Sequence, residues 1–317
     1  MKFGGASVNL DWLSVFRRPL QVAMTNCSLE VLWVKKIDWQ FDLNSCHVEN
    51  DDLSASGRVR MASSEGKPVV DINVAMERGD ISRFGDYWPE NVMSKKTLHW
   101  LRTSLLSGHI TNGRYSMSGD MDDFPFTNQK GRLQAIVPIK NADIRYADRW
   151  PHIKEVTATA EFEGLGMYAH GLIGNTAGAV VDKVSTRIDN FRKPVLDVHY
   201  QTSTPLPVLV GFIKQTPLLD GLAMDPDQFE FTGPSDITGH LNMRLGNTAD
   251  SLTVTGQLQL QENQFTDQVS DTVLSAIKGT LHYDRVGVKA TGLASRYKGY
   301  PVTLDIISDW DAAEVFR

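Results

Sequence analysis

The sequence contains no apolar run long enough to cross a membrane as a helix, which needs about 18 or more residues. Its first segment, MKFGGASVNLDWLSVFRR, is interrupted by Asn9, Asp11 and Ser14, so it does not have the pattern of a secretory signal peptide. We therefore expect that an export signal or membrane anchor, if the protein has one, lies outside this chain. The 317 residues are 41% hydrophobic, which is enough to build a buried core.

Concentrated positive charge is also missing. Lys and Arg together number 32 against 38 acidic residues, which gives a net charge of -6 and a pI near 5.8. The basic residues occur singly or in pairs and form no longer run. Because a nucleic-acid-binding protein usually carries a basic face, we expect no nucleic-acid partner.

Enzyme motifs are scarce. The sequence contains no P-loop, no G-x-S-x-G and no H-E-x-x-H pattern. GLGMYA, from Gly164 to Ala169, formally matches a dinucleotide-binding loop, which must open a helix. Gly171, Gly174 and Gly178 follow closely, and a helix so rich in glycine is unfavourable. We interpret the segment as a hairpin and predict no catalytic residues and no cofactor.

Histidine spacing does not indicate a metal site. The eight histidines are dispersed, and no two of them show the spacing of metal ligands. His199, His240 and His282 fall in alternating segments, so we interpret them as ordinary solvent-facing residues. We predict no bound metal.

The two cysteines, Cys27 and Cys46, both lie in segments that read as strands. A disulfide between neighbouring strands would form in an oxidising compartment. Two buried thiols suit the same pattern equally well. Both alternatives stay open at this point.

Alternation with period two dominates the chain. SLTVTGQLQLQ and DITGHLNMRLG place apolar and polar residues on opposite faces, as do PVVDINVAM, EVTATAEF, PVLDVHY and PVTLDII. This pattern is typical of antiparallel strands with one apolar and one wet face. We therefore predict a mainly β, antiparallel fold. If the sheet is extended and curled and does not close on its own side chains, its inner face becomes an open apolar groove.

The cleanest alternation predicts which side chains line this groove. A concave apolar surface with a polar exterior suits acyl chains. A dry, packed sandwich core would show the same periodicity, so that alternative stays open. The predicted lining residues are Leu241, Met243, Leu245, Val254, Leu258 and Leu260, followed by Val198, Leu281, Leu304 and Ile306.

One to three short helices interrupt the strands. Ser94 is the predicted cap of a helix that runs through Leu105 and stops at Gly108. In TPLPVLVGFIKQ, Thr204 is the predicted cap, with Pro205 at the first helical position. A third segment, FTDQVSDTVLSAI, fits a helix and a strand equally well.

A faint internal repeat organises the chain. HIKEVTATAEFEGLGMYAHGLIGNTAGAVV resembles VLSAIKGTLHYDRVGVKATGLASRYKGYPVTLDI, at a spacing of about 120 residues. We predict one elongated segment over residues 1–317, with repeat units of about 20–125, 126–235 and 236–317 and helices at their junctions.

The sequence also resembles a known family. The segment RGDISRFGDYWPENVMSKKTLHWLRTSLLSGHITNGRYSMSGDMDDFPF, from Arg78 to Phe126, is similar to the YhdP family of AsmA-like proteins. ADIRYADRWPHIKEVTATAEFEG, PLPVLVGFIKQTPLLDGL and ITGHLNMRLG continue the resemblance in the same order. It spans most of the chain and rests on one fairly specific central block.

The resemblance implies a role. Such proteins look like long β-grooves, anchored in the inner membrane of Gram-negative bacteria by an N-terminal helix and extending across the periplasm. They are implicated in moving phospholipids toward the outer membrane, and no catalytic residues carry over. The anchor is missing here and the family's proteins are several times longer, so we expect an internal segment or a truncated reading frame.

Two other functions stay open. One is an extracytoplasmic β-rich binding or adhesion module, whose packed core would exclude lipid. The other is an enzyme whose site assembles from distant residues, which would bring titratable groups together in a pocket.

Overall fold

The computed structural model describes residues 2–3, 6–10, 20–33, 38–64, 66–87, 95–216, 226–245, 251–285 and 287–309. Two compact units are found in it. Unit 1 contains residues 1–144, 156–170 and 187–194, and unit 2 contains residues 145–155, 171–186 and 195–317. The division into three repeat units stays a prediction.

Strands make up most of the described residues. They are β1 (Lys2–Phe3), β2 (Ala6–Leu10), β3 (Leu20–Thr25), β4 (Cys27–Trp33), β5 (Trp39–Glu49), β6 (Leu53–Ser64), β7 (Lys67–Asp80), β8 (Leu105–Asp120), β9 (Arg132–Ile144), β10 (Ile153–Glu163), β11 (Gly166–Thr176), β12 (Ala179–Ile188), β13 (Val195–Pro205), β14 (Phe229–Thr232), β15 (Pro234–Arg244), β16 (Thr253–Asp267), β17 (Thr272–Asp284), β18 (Gly287–Tyr297) and β19 (Tyr300–Asp309).

Helices are short. The α-helices are α1 (Lys95–Ser104) and α2 (Leu206–Lys214), and the 3₁₀ helices are Ile81–Asp86, Met121–Asp123 and Pro226–Gln228. The described part contains no helix that is both long and apolar enough to span a membrane.

Unit 1 is an antiparallel sheet built from consecutive strands. β5, β6, β7, β8 and β9 pair in sequence order. The other edge of β5 pairs with β3 near one end and with β4 along the rest. β2 pairs with β3, and β1 pairs with β4. Short turns connect β5 to β6 and β6 to β7, whereas the connection from β7 to β8 contains a 3₁₀ helix and α1.

Unit 2 also contains an antiparallel sheet. β13 pairs with β15, and β15 to β19 then pair in sequence order. β14 pairs with the far end of β16. In the described residues of each unit, the strand ladders run without a pairing between the two edge strands. The predicted mainly β antiparallel fold with few short helices is confirmed.

The first predicted helix is too long at its C-terminal end. α1 ends at Ser104, and Leu105 already belongs to β8, where it pairs with Ile144 of β9. Gly108 lies inside the strand, with a φ of +132°, and does not stop the helix. Strand pairing therefore overrides the helical periodicity of the sequence. The predicted cap, Ser94, lies outside the described residues.

The second predicted helix begins slightly later than expected. α2 starts at Leu206, and Pro205 occupies the cap position without a side-chain cap bond. Thr204 remains in β13, where it pairs with Ser235. Its carbonyl oxygen accepts a hydrogen bond from the Ser235 hydroxyl at 2.7 Å, so the strand ladder holds the residue that we predicted as the cap.

Two ambiguous segments are resolved in favour of strands. FTDQVSDTVLSAI contains the end of β16, a turn over residues 268–271 and the start of β17. Gly164 and Leu165 form the turn between β10 and β11, and a strand follows where a dinucleotide loop would require a helix. The hairpin interpretation of GLGMYA is therefore the correct one.

Candidate functional site

The register of unit 2 places several predicted groove residues side by side. Val198 lies opposite Leu241, which in turn lies opposite Val254 on the next strand. In another row, Leu258 lies between Ile237 and Leu281. Because side chains directly opposite each other share a face, these rows form one apolar face, which we call the unit 2 apolar face.

Three more of the predicted residues extend this face at its edges, whereas Leu245 lies in a turn beyond the end of β15. Met243 lies opposite Leu196, Leu304 lies opposite Leu293, and Ile306 lies opposite Ala290. Met243, Leu258 and Leu260 are buried. The seven other predicted residues are half-buried, namely Val198, Leu241, Leu245, Val254, Leu281, Leu304 and Ile306. All ten are thus at least half withdrawn from solvent.

A pair of tyrosines crosses the middle of the unit 2 apolar face. Tyr200 and Tyr283 lie in the row that contains Gly239 and Gly256. Their hydroxyl oxygens are 2.8 Å apart, and the Tyr283 hydroxyl donates to the Thr238 carbonyl oxygen at 3.1 Å. Burial raises the pKa of both phenols, so both stay protonated at neutral pH.

The glycines make this tyrosine bridge sterically feasible. A Cβ on Gly239 would lie 2.3 Å from the Tyr200 hydroxyl oxygen, and one on Gly256 would lie 2.2 Å from that of Tyr283. The rings therefore occupy the space that two side chains would fill. Alternation alone did not predict this polar bridge, because it depends on the register of four strands.

One end of the unit 2 apolar face is covered by α2. Leu206 packs with Leu258, Leu260, Ile277 and Leu293, and all five are buried. Leu281, Leu304 and Ile306 pack against the same cluster. The row that contains Val198, Leu241 and Val254 lies outside this cluster.

Unit 1 carries a second apolar face, which the sequence-based list of groove residues missed. One row runs through Leu43, Val59, Ile72, Met117 and Leu133 on five successive strands. We call this the unit 1 apolar face. The alternation of PVVDINVAM contained a usable signal for Ile72, whereas Met117 could be assigned only through the pairing of β7 with β8.

Aromatic residues cover one end of the unit 1 apolar face. Phe126 is buried with Val70 and Met117, and Phe124 packs against the same cluster. The Phe126 ring lies so close to Gly119 and Gly131 that a Cβ on either glycine would come within 2.7 Å of it.

A disulfide joins Cys27 and Cys46, with a Cα–Cα distance of 4.1 Å. Both residues are buried, and the bond links β4 to β5 inside unit 1. Of the two alternatives that the sequence left open, the structure has the bonded one.

The polar side of the unit 1 sheet holds a concavity of about 730 Å³. Ser56, Arg58, Asn73, Arg114 and Ser116 are among its lining residues. Val74, Ala75 and Ile136 also line it, so the concavity combines exposed arginines with apolar surface. The case for acyl-chain binding therefore depends on the apolar faces.

The polar side of the unit 2 sheet brings two histidines and an aspartate together. His199 lies directly opposite His240, and their rings stack at 4.4 Å between centroids. The Asp197 carboxylate lies 2.7 Å from His240 Nε2 and 3.0 Å from His199 Nε2. Asn242 also donates to it, at 3.1 Å. The spacing of the histidines in the sequence did not indicate this group, because His240 and Asn242 reach Asp197 from a neighbouring strand.

The environment of Asp197 favours its charged form. Burial by itself raises the pKa of the carboxyl, but hydrogen bonds from His240 and Asn242 and the nearby histidines outweigh it and lower the pKa below its ordinary value. His282 lies on the same side of the sheet, opposite Gln257.

The family model and the similar protein found by comparison both point to one family. A family model described as YhdP protein matches residues 1–315. The intermembrane phospholipid transporter YhdP of Escherichia coli strain K12 is 22% identical over 299 residues. The match covers 93% of this chain but 23% of that relative, so the chain spans about a quarter of the relative's length. No solved structure matches. Because the family model covers nearly the whole chain, the protein belongs to the YhdP family.

Proposed function

We propose that this chain is a non-enzymatic part of a phospholipid transporter and that its apolar faces form a groove that holds acyl chains. The name of the Escherichia coli relative, intermembrane phospholipid transporter, supports the substrate class. The observation that carries the proposal is the row Val198, Leu241 and Val254, which is contiguous over three strands and half-buried.

The physical argument concerns what can stabilise such a row. Each methylene group removed from water contributes about 0.8 kcal/mol, so an acyl chain that crosses several strands gains substantial free energy. The alternate residues of the same strands, such as Thr255 and Gln257, are exposed on the opposite face. A sheet with one apolar and one polar face can therefore hold acyl chains while phospholipid head groups stay in water.

We further propose that the chain acts in the cell envelope of a Gram-negative bacterium, in the periplasm, and contributes to transport from the inner to the outer membrane. The relative's name describes transport between membranes, and the disulfide in unit 1 suits an oxidising compartment.

A specific observation favours a second candidate, a binding module with a packed core. The cluster under α2 fills one end of the unit 2 apolar face with side chains of the chain itself. If the rest of the face is filled in the same way, lipid is excluded. Leu241 and Val254 lie outside that cluster, so they distinguish the two candidates better than Leu258.

Site-specific photo-crosslinking tests the proposal. Benzoylphenylalanine is placed at Leu241 or Val254 in cells of a Gram-negative host, and lipid adducts are identified by mass spectrometry after illumination. The matched control carries the same residue at Thr255, which is adjacent in sequence to Val254 but faces the opposite side. We expect phospholipid adducts at Leu241 and Val254 and at least about tenfold fewer at Thr255.

The result that would overturn the proposal is equally specific. Folded protein without lipid adducts at either inner position would favour the packed core. Equal adducts at Thr255 would show non-specific contact with lipid and would overturn the proposal as well. Circular dichroism of each purified variant establishes that the protein is folded.

A further inference from the structure

The group formed by Asp197, His199 and His240 has a geometry that solvent-facing strand residues do not require. In the described part of the chain, these three residues bring their potential ligand atoms within 4.8 Å of one another. The side chains of His199, His240 and Asp197 are 65%, 40% and 32% exposed. An ion from solvent can therefore reach the three side chains, and the pairing of β13 with β15 fixes the positions of their backbones.

The orientation of the imidazoles is the second observation. The two rings are nearly parallel, at 10°, and both direct Nε2 toward the same carboxylate. In a tetrahedral zinc site, ligand bonds of 2.0–2.2 Å place ligand atoms roughly 3.3 Å apart. The Nε2–oxygen distances of 2.7 and 3.0 Å are close to that value, so small side-chain rotations would admit an ion between the three groups.

We propose that Asp197, His199 and His240 bind a divalent transition-metal ion, with Zn²⁺ as the reference ion. Two imidazoles and one carboxylate suit Zn²⁺, Cu²⁺ and Ni²⁺, whereas Ca²⁺ and Mg²⁺ require several oxygen ligands. Asn242 donates to the Asp197 carboxylate and so holds this ligand in place from outside the group. Water would complete the coordination on the exposed side.

Such an ion would tie β13 to β15. These paired strands are separated in sequence by α2 and residues 215–233, so their pairing closes a long loop. A ligand that binds only the folded form stabilises it, by an amount that rises with the ratio of free ligand concentration to Kd. The site is therefore structural, and it is independent of whether the apolar face on the other side of the sheet binds lipid.

Isothermal titration calorimetry with ZnCl₂ at neutral pH tests the proposal on the 317-residue chain. We expect one saturable site per chain, with a rise in Tm on adding zinc and no such rise with millimolar Mg²⁺ or Ca²⁺. His199→Gln removes a largely exposed ligand and is expected to weaken zinc binding about tenfold or more, as is Asp197→Asn.

His170→Gln is the matched control. His170 lies 3.0 Å from Glu161 in unit 1, so it forms a histidine–carboxylate pair that lacks the second histidine. We expect this variant to bind zinc like the unmodified chain. Equal loss in His170→Gln and His199→Gln would show non-specific binding to surface histidines and would overturn the proposal.

Absence of saturable binding, or binding unchanged by both His199→Gln and Asp197→Asn, would overturn it as well. If either variant fails to fold, X-ray absorption on the zinc-loaded unmodified chain decides the matter. Two imidazole ligands at the zinc support the assignment, and a spectrum without imidazole excludes it.

Discussion

Unit 1 and unit 2 use the same alternation of apolar and polar residues, but they complete their apolar faces differently. In unit 1, Phe126 from a loop beyond β8 covers one end of the face. In unit 2, Leu206 of α2 performs the same task. The alternation thus creates the face in both units, and the segments between strands determine how much of it is filled.

The central rows of the two sheets differ in a related way. In unit 1 the row contains Gly57, Val74 and Tyr115. The Tyr115 hydroxyl reaches the Met117 sulfur at 3.4 Å, which is a weak hydrogen bond. In unit 2 the row contains two glycines and two tyrosines joined by their hydroxyls. The bridge gives unit 2 a polar element in the middle of an apolar face, and unit 1 has a more continuous apolar surface there.

The polar sides of the sheets also differ. Unit 1 pairs arginine with aspartate, as in Arg60–Asp42 at 2.6 Å and Arg58–Asp71 at 3.3 Å. Unit 2 pairs two histidines with Asp197. A guanidinium remains protonated and cannot act as a metal ligand, whereas a neutral imidazole can. The polar side therefore carries simple ion pairs in one unit and a candidate metal site in the other.

The largest expected difference between the units comes from the disulfide. Replacing both Cys27 and Cys46 by Ser removes a bond that closes a 19-residue separation, which is worth about 3 kcal/mol of stability. Because the chain has two cysteines and both are in unit 1, we expect faster hydrogen exchange in β4, β5 and β6.

Peptides from β15 and β16 in unit 2 serve as the internal control for this experiment and should exchange as before. Reductant should have the same effect on the unmodified chain and no effect on the double variant. Equal acceleration in both units would contradict the assignment of the effect to unit 1.

Replacing a central glycine by alanine should lower the stability of the protein by a similar amount in the two units. A Cβ on Gly57 would lie 2.4 Å from the Asn73 carbonyl oxygen, and one on Gly256 would lie 2.3 Å from that of Thr238. Because backbone atoms cannot move aside by a rotamer change, we expect Gly57→Ala and Gly256→Ala each to cost about 2 kcal/mol. Denaturant unfolding monitored by circular dichroism measures the loss.

Gly211→Ala is the control for the glycine variants. Gly211 lies in α2 with open space around its Cβ position, and alanine favours a helix by about 0.5–1 kcal/mol. We expect this variant to be slightly stabilised. Tolerance of alanine at Gly57 or Gly256 would mean that the close approach of the strands is not required there.

Removing a tyrosine hydroxyl should cause the smallest loss of stability, and this loss should differ clearly between the two units. Tyr283→Phe leaves both the Thr238 carbonyl oxygen and the Tyr200 hydroxyl without this partner, so we expect a loss of about 1–2 kcal/mol. Tyr115→Phe removes a weak bond to sulfur in unit 1 and should cost less than about 0.5 kcal/mol. Thermal unfolding of the two variants side by side checks the difference, and equal losses would contradict it.

Much of the candidate site could be predicted from local pattern. In β16, the alternation separates half-buried Val254 and buried Leu258 from exposed Thr255 and Gln257. In β15, the polar residues between the apolar ones are half-buried as well. Strands with one buried face require this alternation, because side-chain direction reverses at every residue. The helix ends were less predictable, since Leu105 fits a helix by periodicity but pairs with Ile144 as a strand.

Local sequence was sufficient to assign the composition of each face: apolar residues at alternate strand positions, polar residues between them, and short helices at a few interruptions. Which strands became neighbours was set by the pairing of the folded chain. That register placed Tyr200 over Gly239 and stacked His199 on His240. In the folded chain, Leu206 packs onto Leu258, and Leu241 is half-buried. The physical reason is that cross-strand contacts join residues far apart in the chain, and their partners depend on pairing that no local pattern encodes.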